Sequence, residues 1–209
     1  MWCPGGAGVL PRGDAPQRHP RNRPGQLPDP HRANMGGVRE PLAVPVRGQY
    51  ESAGYRAIAG ETLAYFHQRV REEHGQDTAA LAMGDFNDEP FDTSLVAHAL
   101  STRQATRVIN ADTPRFWNLM WPAAGAPGGT FYFQNEPNLL DQFLVNATMA
   151  RPTSPLHANP DSVQILRFPE LVHTGDYPRP RPFGGMGAAV DETGYSDHFP
   201  IAMTVTETD

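Results

Sequence analysis

Three short motifs, each lying at one end of an apolar, strand-like stretch, most constrain how this chain can fold. Met83–Pro90 reads MGDFNDEP, Asn138–Val145 reads NLLDQFLV and Tyr195–Ile201 reads YSDHFPI. In an open sheet, side chains at the ends of neighbouring strands face a common cleft. A fold that pairs these strands would therefore gather a carboxylate–amide pair, a lone aspartate and an Asp-His dipeptide around one site.

The pattern after residue 47 predicts a mixed α/β fold. Ser52 is placed to cap a helix that runs to about Glu73 and stops at Gly75. The face of this helix that is predicted to enter the core consists of Ala59, Leu63, Phe66 and Val70. Strands are predicted at residues 79–83, 130–133, 139–145 and 201–205, with a short helix at residues 94–100.

The regions between these elements are predicted with less detail. The strands at residues 130–133 and 139–145 are predicted to pair with each other as a hairpin. Residues 151–194 show few periodic signals, which indicates a long loop-rich excursion at the surface near a site. His67 and His74 lie on the predicted first helix, where we expect both side chains at the surface.

The N-terminal 47 residues differ sharply in composition from the remainder. They contain nine prolines, seven arginines and seven glycines, and no stretch repeats with the period of a strand or a helix. Such a segment cannot bury enough apolar surface to order itself. We therefore predict a disordered segment at residues 1–47 and a folded domain at residues 48–209.

Charge and hydropathy exclude some classes of function. The net charge of −6 argues against a protein that holds nucleic acid by bulk positive charge. It is compatible with a metal-dependent enzyme, because a bound cation supplies positive potential locally. No apolar run reaches the length of a membrane span and no secretory leader is visible, so we expect a cytoplasmic protein. The oligomeric state is not predicted.

The first motif offers a carboxylate and an amide on one face. Asp85 and Asn87 alternate around Phe86, so an extended segment would turn both polar side chains to a cleft and Phe86 to the core. The carboxylate can bind a metal or hold a water, and the amide can donate to a phosphate oxygen. A solvated turn or a calcium loop is the alternative; the EF-hand pattern fails because Pro90 stands where glycine is required.

The other two motifs complete the chemistry. Asp197 suits a hard, oxygen-preferring cation such as Mg²⁺. His198 can donate to a phosphate oxygen or transfer a proton, because its ordinary pKa lies near neutrality. Asp141 lies on an apolar run that could place it behind His198, where it would fix the ring's tautomer. Arg56 is expected to serve packing, and Trp117 and Trp121 to fill the core.

With these motifs the chain resembles the endonuclease/exonuclease/phosphatase superfamily, the deoxyribonuclease-I-like metal-dependent phosphoesterases. The matching runs are Gly84–Asn87, Leu140–Val145 and Ser196–His198, in the family's order, with Gly129–Phe133 ahead of the second. The resemblance covers roughly residues 48–206. It implies the C-terminal half of a four-layer α/β/β/α sandwich.

The resemblance also implies a role for each site residue. Asp85 would orient or activate the attacking water, and Asn87 would contact the scissile phosphate. Asp197 would bind Mg²⁺ or Mn²⁺. His198, held by Asp141, would stabilise the pentacovalent transition state or act as a base. The reaction would be hydrolysis of a phosphodiester or phosphomonoester, with nucleic acid among the candidate substrates.

Departures from the family pattern leave an alternative open. The family's early Asn and metal-binding Glu, and its mid-chain Asn-His pair, have no counterpart, so we expect a truncated domain of poor stability or activity. Codons can be chosen for Arg39–Val46 that, read one base later, encode Val-Asn-His-Trp-Pro-Ser-Arg, which the family pattern leads us to expect here. Residues 1–47 are thus also interpreted as an out-of-frame translation. The alternative function is a non-catalytic remnant that binds a metal or partner weakly.

Overall fold

A computed structural model describes residues 45–184 and 189–208. Most of the segment predicted to be disordered or out of frame, residues 1–47, lies outside these ranges. Three α-helices are present: α1 (Pro45–His74), α2 (Ala105–Ile109) and α3 (Ala147–Ala150), together with a π-helical turn at Ser94–His98 and 3₁₀ turns at Trp121–Ala123 and Pro169–Leu171. The strands are β1 (Leu81–Asp85), β2 (Ser101–Thr102), β3 (Phe116–Asn118), β4 (Phe131–Phe133), β5 (Glu136–Asn138), β6 (Asp141–Val145), β7 (Leu156–Ile165) and β8 (Ile201–Glu207). The predicted mixed α/β class is confirmed.

A four-stranded sheet in the order β1-β6-β3-β2 forms the centre of this fold. Strand β6 runs antiparallel to both β1 and β3, and β2 runs parallel to β3. Successive side chains of a strand point to opposite faces, and β6 is apolar on both. Phe143 and Val145 enter one core cluster, whereas Leu144 enters the other. The sheet is therefore covered on both sides around β6.

Each face of this sheet packs against a different layer. On one side Leu63 of α1 joins a core of Leu95, Ala99, Phe116 and Leu144. On the other side, apolar residues of the β7–β8 sheet pack on the second core, and they are Val163, Ile165, Ile201 and Met203. The resulting α/β/β order corresponds to three layers of the predicted α/β/β/α sandwich.

Helix α1 packs closely on the Ser94–His98 turn through a glycine. A Cβ at Gly60 would lie 2.4 Å from the carbonyl oxygen of Ser94, so only glycine permits this contact. The predicted core positions of Ala59 and Phe66 are wrong, because both residues are exposed, and the predicted surface position of His67 is wrong, because its ring stacks on buried Phe116. The predicted cap at Ser52 is also wrong, because α1 begins at Pro45 and Ser52 lies within it. Of the helices described, none combines the length and apolar character that a membrane crossing requires.

Two predicted connections also differ from the structure. Strand β4 pairs with β5 in a short hairpin, whereas β6 pairs with β1 and β3, so the predicted pairing of residues 130–133 with residues 139–145 is wrong. The predicted loop-rich region contains the ten-residue strand β7, which pairs with β8. Its alternation is hidden by polar residues and by a register shift between Asn159 and Gln164.

Candidate active site

The pairing of β1 with β6 places two carboxylates side by side. The antiparallel register sets Asp85 opposite Asp141. The backbone N–H of Phe86 then donates to the carbonyl oxygen of Leu140 at 2.9 Å, which extends the pairing beyond the strand. Residues directly opposite each other project from the same face of a sheet. The end of the sheet where β1 finishes and β6 begins thus carries both acidic side chains.

His198 is brought to this end of the sheet from the far end of the chain. Its Nδ1 lies 2.7 Å from Oδ2 of Asp141, and both side chains are largely buried. A β-bridge joins His198 to Phe131, and the two rings lie 4.9 Å apart between centroids. The imidazole is therefore fixed by a carboxylate at Nδ1 and by an aromatic ring alongside.

The surrounding carboxylates favour the charged form of this histidine. The pKa of His198 is raised, chiefly by its hydrogen bond to Asp141, although burial acts in the opposite direction. The charges of Asp141, Asp85 and Asp197 raise the pKa further. The contacts that bring predicted site residues together are the His198–Asp141 pair and the register that sets Asp85 opposite Asp141. Asp197 directly precedes His198 in the chain and is exposed.

Asn87 lies next to Asp85 but not in the predicted extended conformation. Its φ is +52°, in the left-handed region that asparagine tolerates better than most residues. Its backbone N–H donates to Oδ1 of Asp85 at 2.8 Å, and its Nδ2 donates to Oδ2 at 3.1 Å. Both oxygens of Asp85 are therefore oriented by Asn87, and this local turn replaces the alternation around Phe86.

Two further acids of the first motif, Asp88 and Glu89, anchor this loop to neighbouring elements. Asp88 is buried, pairs with Arg56 Nε at 2.7 Å and accepts a hydrogen bond from Ser94. Glu89 accepts from the backbone N–H of Leu139 at 2.8 Å, and burial raises the pKa of Glu89. The solvated-turn and calcium-loop alternatives do not fit Asp88, because its buried carboxylate is already bound to Arg56 of α1 and to Ser94. The expectation that Arg56 serves packing missed this ion pair.

A buried amide links the loop to the sheet. Gln142 has no exposed surface, and its Nε2 donates to the carbonyl oxygens of Asp88 and Leu139, at 3.1 and 2.7 Å. Its Oε1 accepts from Nδ2 of Asn118 at 3.0 Å. Sequence reasoning did not single out Gln142 or Asn118. The signal that could have found Gln142 is its polar side chain inside the apolar run of β6. A buried amide needs hydrogen-bond partners, so such a residue is expected to link neighbouring segments.

Thr130 connects the two halves of the site. Its hydroxyl oxygen accepts from the backbone N–H groups of Leu140 and Asp141, at 3.1 and 3.2 Å. Its carbonyl oxygen accepts from the N–H of Phe199 at 2.7 Å. Because Asp141 and His198 both depend on these contacts, Thr130 sets the distance between them.

The Thr130→Val variant is expected to lose about 1 kcal/mol of unfolding free energy, because valine leaves two partly buried N–H groups without an acceptor. Urea denaturation would measure this loss. Thr130→Ser keeps the hydroxyl oxygen and is the matched control. Equal losses in the two variants would show that the methyl group, and not the hydroxyl, supports the site.

Comparison with known proteins places this chain in a family. The sequence model of the endonuclease/exonuclease/phosphatase family matches residues 43–207, most of the chain. The chain belongs to this family. Membership supports a hydrolase of the phosphoesterase or nuclease type at the level of the family. No curated protein matches the chain, and neither does any solved structure.

The family depends in general on divalent metal ions. Among residues 45–184 and 189–208, no group of three or more His, Cys, Asp or Glu side chains is placed to hold an ion. Mg²⁺, however, is commonly bound by one or two carboxylates together with water and substrate phosphates. Asp197 is exposed and lies beside the charged edge of the site, so the donor set fits an ion shared with the substrate.

Proposed function

We propose that this chain hydrolyses a phosphate ester, a phosphodiester or a phosphomonoester, by attack of water at phosphorus. The observation that carries the proposal is the His198–Asp141 contact of 2.7 Å, with Asp85 directly opposite Asp141 in the register. A histidine held at Nδ1 by a carboxylate presents Nε2 to a substrate. A phosphoryl group beside it would meet one proton donor and one carboxylate.

His198 acts in this proposal as a charged hydrogen-bond donor. Its pKa is raised, so the imidazolium persists to higher pH than an isolated histidine. A charged Nε2–H stabilises the negative charge that develops on the equatorial oxygens during phosphoryl transfer. Of the two roles expected from the sequence, transition-state stabiliser and base, the raised pKa favours the stabiliser.

Asp85 is then the residue that orients the attacking water. Its carboxylate is partly exposed at the edge of the sheet and is held at both oxygens by Asn87. Carboxylate oxygens have about four acceptor positions, so positions remain for a water after these two bonds. The remaining Nδ2 hydrogen of Asn87 is available to a phosphate oxygen, which agrees with the contact expected from the sequence.

Asp197 is the proposed ligand of a divalent ion, Mg²⁺ or Mn²⁺. When bound, such an ion polarises the phosphoryl oxygens and neutralises their charge. The protein contributes an exposed carboxylate, Asp197, directly before His198 in the chain. One phosphate group could then contact both the ion at Asp197 and the ring of His198. The acidic balance of the chain disfavours long nucleic acids, whose backbone requires a basic track, and favours small phosphate esters.

The test is hydrolysis by purified protein of bis(4-nitrophenyl) phosphate, 4-nitrophenyl phosphate and single-stranded and duplex DNA. Activity is expected with Mg²⁺ or Mn²⁺ and is expected to disappear with EDTA. Asp85→Ala and Asp197→Ala should each lower kcat/KM by about 10²–10⁴-fold. Asp176→Ala, an exposed aspartate in a loop, is the control for loss of a negative charge.

The second candidate is a family member without catalysis that binds phosphate esters weakly. The observation in its favour is the lack of a three-ligand metal group among the described residues. It predicts no turnover above buffer with either metal, together with ester binding that Asp85→Ala leaves unchanged. Metal-dependent turnover that is lost in Asp85→Ala rules it out.

A further inference from the structure

An arginine-lined cavity lies at the end of the sheet opposite the Asp–His pair. Its lining includes Asp77, which precedes β1, and Asn146, which follows β6. Asp85 and Asp141 occupy the other ends of the same two strands. Four residue steps along a strand separate the two ends by about 13 Å. The cavity has a volume of about 160 Å³ and is distinct from the proposed catalytic site.

Three separate elements each contribute one arginine to this cavity. Arg71 comes from the last turn of α1, Arg115 precedes β3 and Arg151 follows α3. All three are half-buried, and Asp77 is the acidic residue of the lining. Within the described part of the chain, no ion pair joins any of the three to a carboxylate. In a protein of net charge −6, this is a local concentration of positive charge.

A buried histidine completes the lining. His67 is 5% exposed and its ring stacks on Phe116, with 4.1 Å between centroids. Its Nε2 is buried and has no hydrogen-bond partner among the described residues. Burial, and then the charge of Arg71, lower the pKa of His67 to about 4, so the ring is neutral at pH 7. A buried polar atom without a partner is costly unless a ligand or water satisfies it.

We propose that this cavity binds a phosphate-sized oxyanion, supplied as inorganic phosphate or as the phosphate group of a small monoester. Guanidinium groups donate in a planar fork that matches tetrahedral oxyanions, and each carries five N–H donors. Arg71 donates one Nη2–H to the side chain of Gln76, and Arg151 donates one Nη2–H to the carbonyl oxygen of Ile109. The remaining donors, with Nε2–H of His67, supply the oxygens of the anion with partners, and the negative charge of the anion offsets the arginine charges.

The experiment follows the His67 ring by ¹H–¹³C NMR during titration with sodium phosphate at constant ionic strength. The His67→Gln variant identifies the resonance. We expect a saturable shift with Kd of about 0.1–1 mM, retained in His198→Ala, in which the catalytic site is damaged. Arg115→Gln should weaken binding at least about tenfold. Arg115 makes no hydrogen bond or ion pair with any other described residue, so this variant is expected to fold.

Arg69→Gln on the exposed face of α1 removes the same charge and should leave the Kd unchanged. Titration with glycerol phosphate in the His198→Ala background separates the two sources of the phosphate group. Tighter binding of the ester than of phosphate indicates an esterified ligand, and the reverse indicates the free ion. A His67 resonance unmoved by about 20 mM phosphate overturns the proposal, and so does equal weakening by Arg69→Gln and Arg115→Gln. Neither result bears on phosphoesterase activity.

Discussion

Replacement of His198 by alanine is expected to lower kcat/KM for a phosphodiester by about 10³-fold. In the proposal, the His198 side chain places a positive charge against the transferring phosphoryl group. Steady-state hydrolysis of bis(4-nitrophenyl) phosphate measures the loss. His74→Ala, an exposed histidine at the end of α1, is the control and should keep full activity.

The dependence on pH separates the two roles of His198. Its pKa is raised, so a charged stabiliser gives activity that falls as pH rises through that raised value. Asp141→Asn removes the carboxylate whose hydrogen bond chiefly raises the pKa of His198, and the alkaline limb should then move to lower pH. A base would instead give activity that rises with pH. If Asp141→Asn moved the acid limb of the pH–activity profile and left the alkaline limb unchanged, the result would contradict the stabiliser role.

The same linkage applies to stability. Because the folded-state pKa of His198 is raised, its pair with Asp141 stabilises the protein fully below the unfolded pKa of about 6.5. The contribution is lost as pH rises through the folded-state pKa. Comparison of urea midpoints for wild type and His198→Ala across this window therefore reports the pair independently of activity.

The second large effect is on stability, from Arg56→Ala. The variant leaves the carboxylate of Asp88, whose side chain is 5% exposed, buried without its cation, and we expect a loss of about 3 kcal/mol. Arg69→Ala on the same helix removes an exposed arginine with exposed partners, and it should cost much less. Urea denaturation of the two variants at pH 7 measures the difference.

The Arg56→Ala substitution is also expected to lower activity by disturbing the active site. Asp88 follows Asn87 directly, and its carbonyl oxygen accepts from Gln142, so release of Asp88 loosens the turn that orients Asp85. We therefore expect a lower kcat with little change in KM in the surviving folded protein. Equal stability losses in Arg56→Ala and Arg69→Ala would show that the buried pair contributes little.

Several features of the fold follow from local sequence. The helix that includes residues 53–73, the strand at Leu81–Asp85 and the closing strand at Ile201–Glu207 are present near their predicted positions. Each has a strong local signal, helical spacing or a short apolar run, although α1 begins at Pro45 and not at the predicted cap. Strand β7 lacks such a signal, because polar residues and a register shift interrupt its alternation.

The sequence also indicated which residues meet at the site, although their catalytic roles remain predictions. It could not indicate what holds them. The partners that do so are far apart in the chain: Gln142 lies 54 residues from Asp88, and His198 lies 57 from Asp141. Such contacts form only once the sheet has closed, and no periodicity encodes them.

By itself, then, the sequence determined the fold class and the family, and it predicted the residues for the chemistry, because motifs and apolar spacing are local properties. Tertiary structure alone decided that His67 is buried, that Arg56 neutralises Asp88 and that three arginines surround one cavity. Each of these depends on contacts between elements far apart in the chain: His67 stacks on Phe116 of β3, Arg56 of α1 meets Asp88 after β1, and the cavity arginines come from three separate segments. Such contacts are a property of packed surfaces and not of any one segment alone.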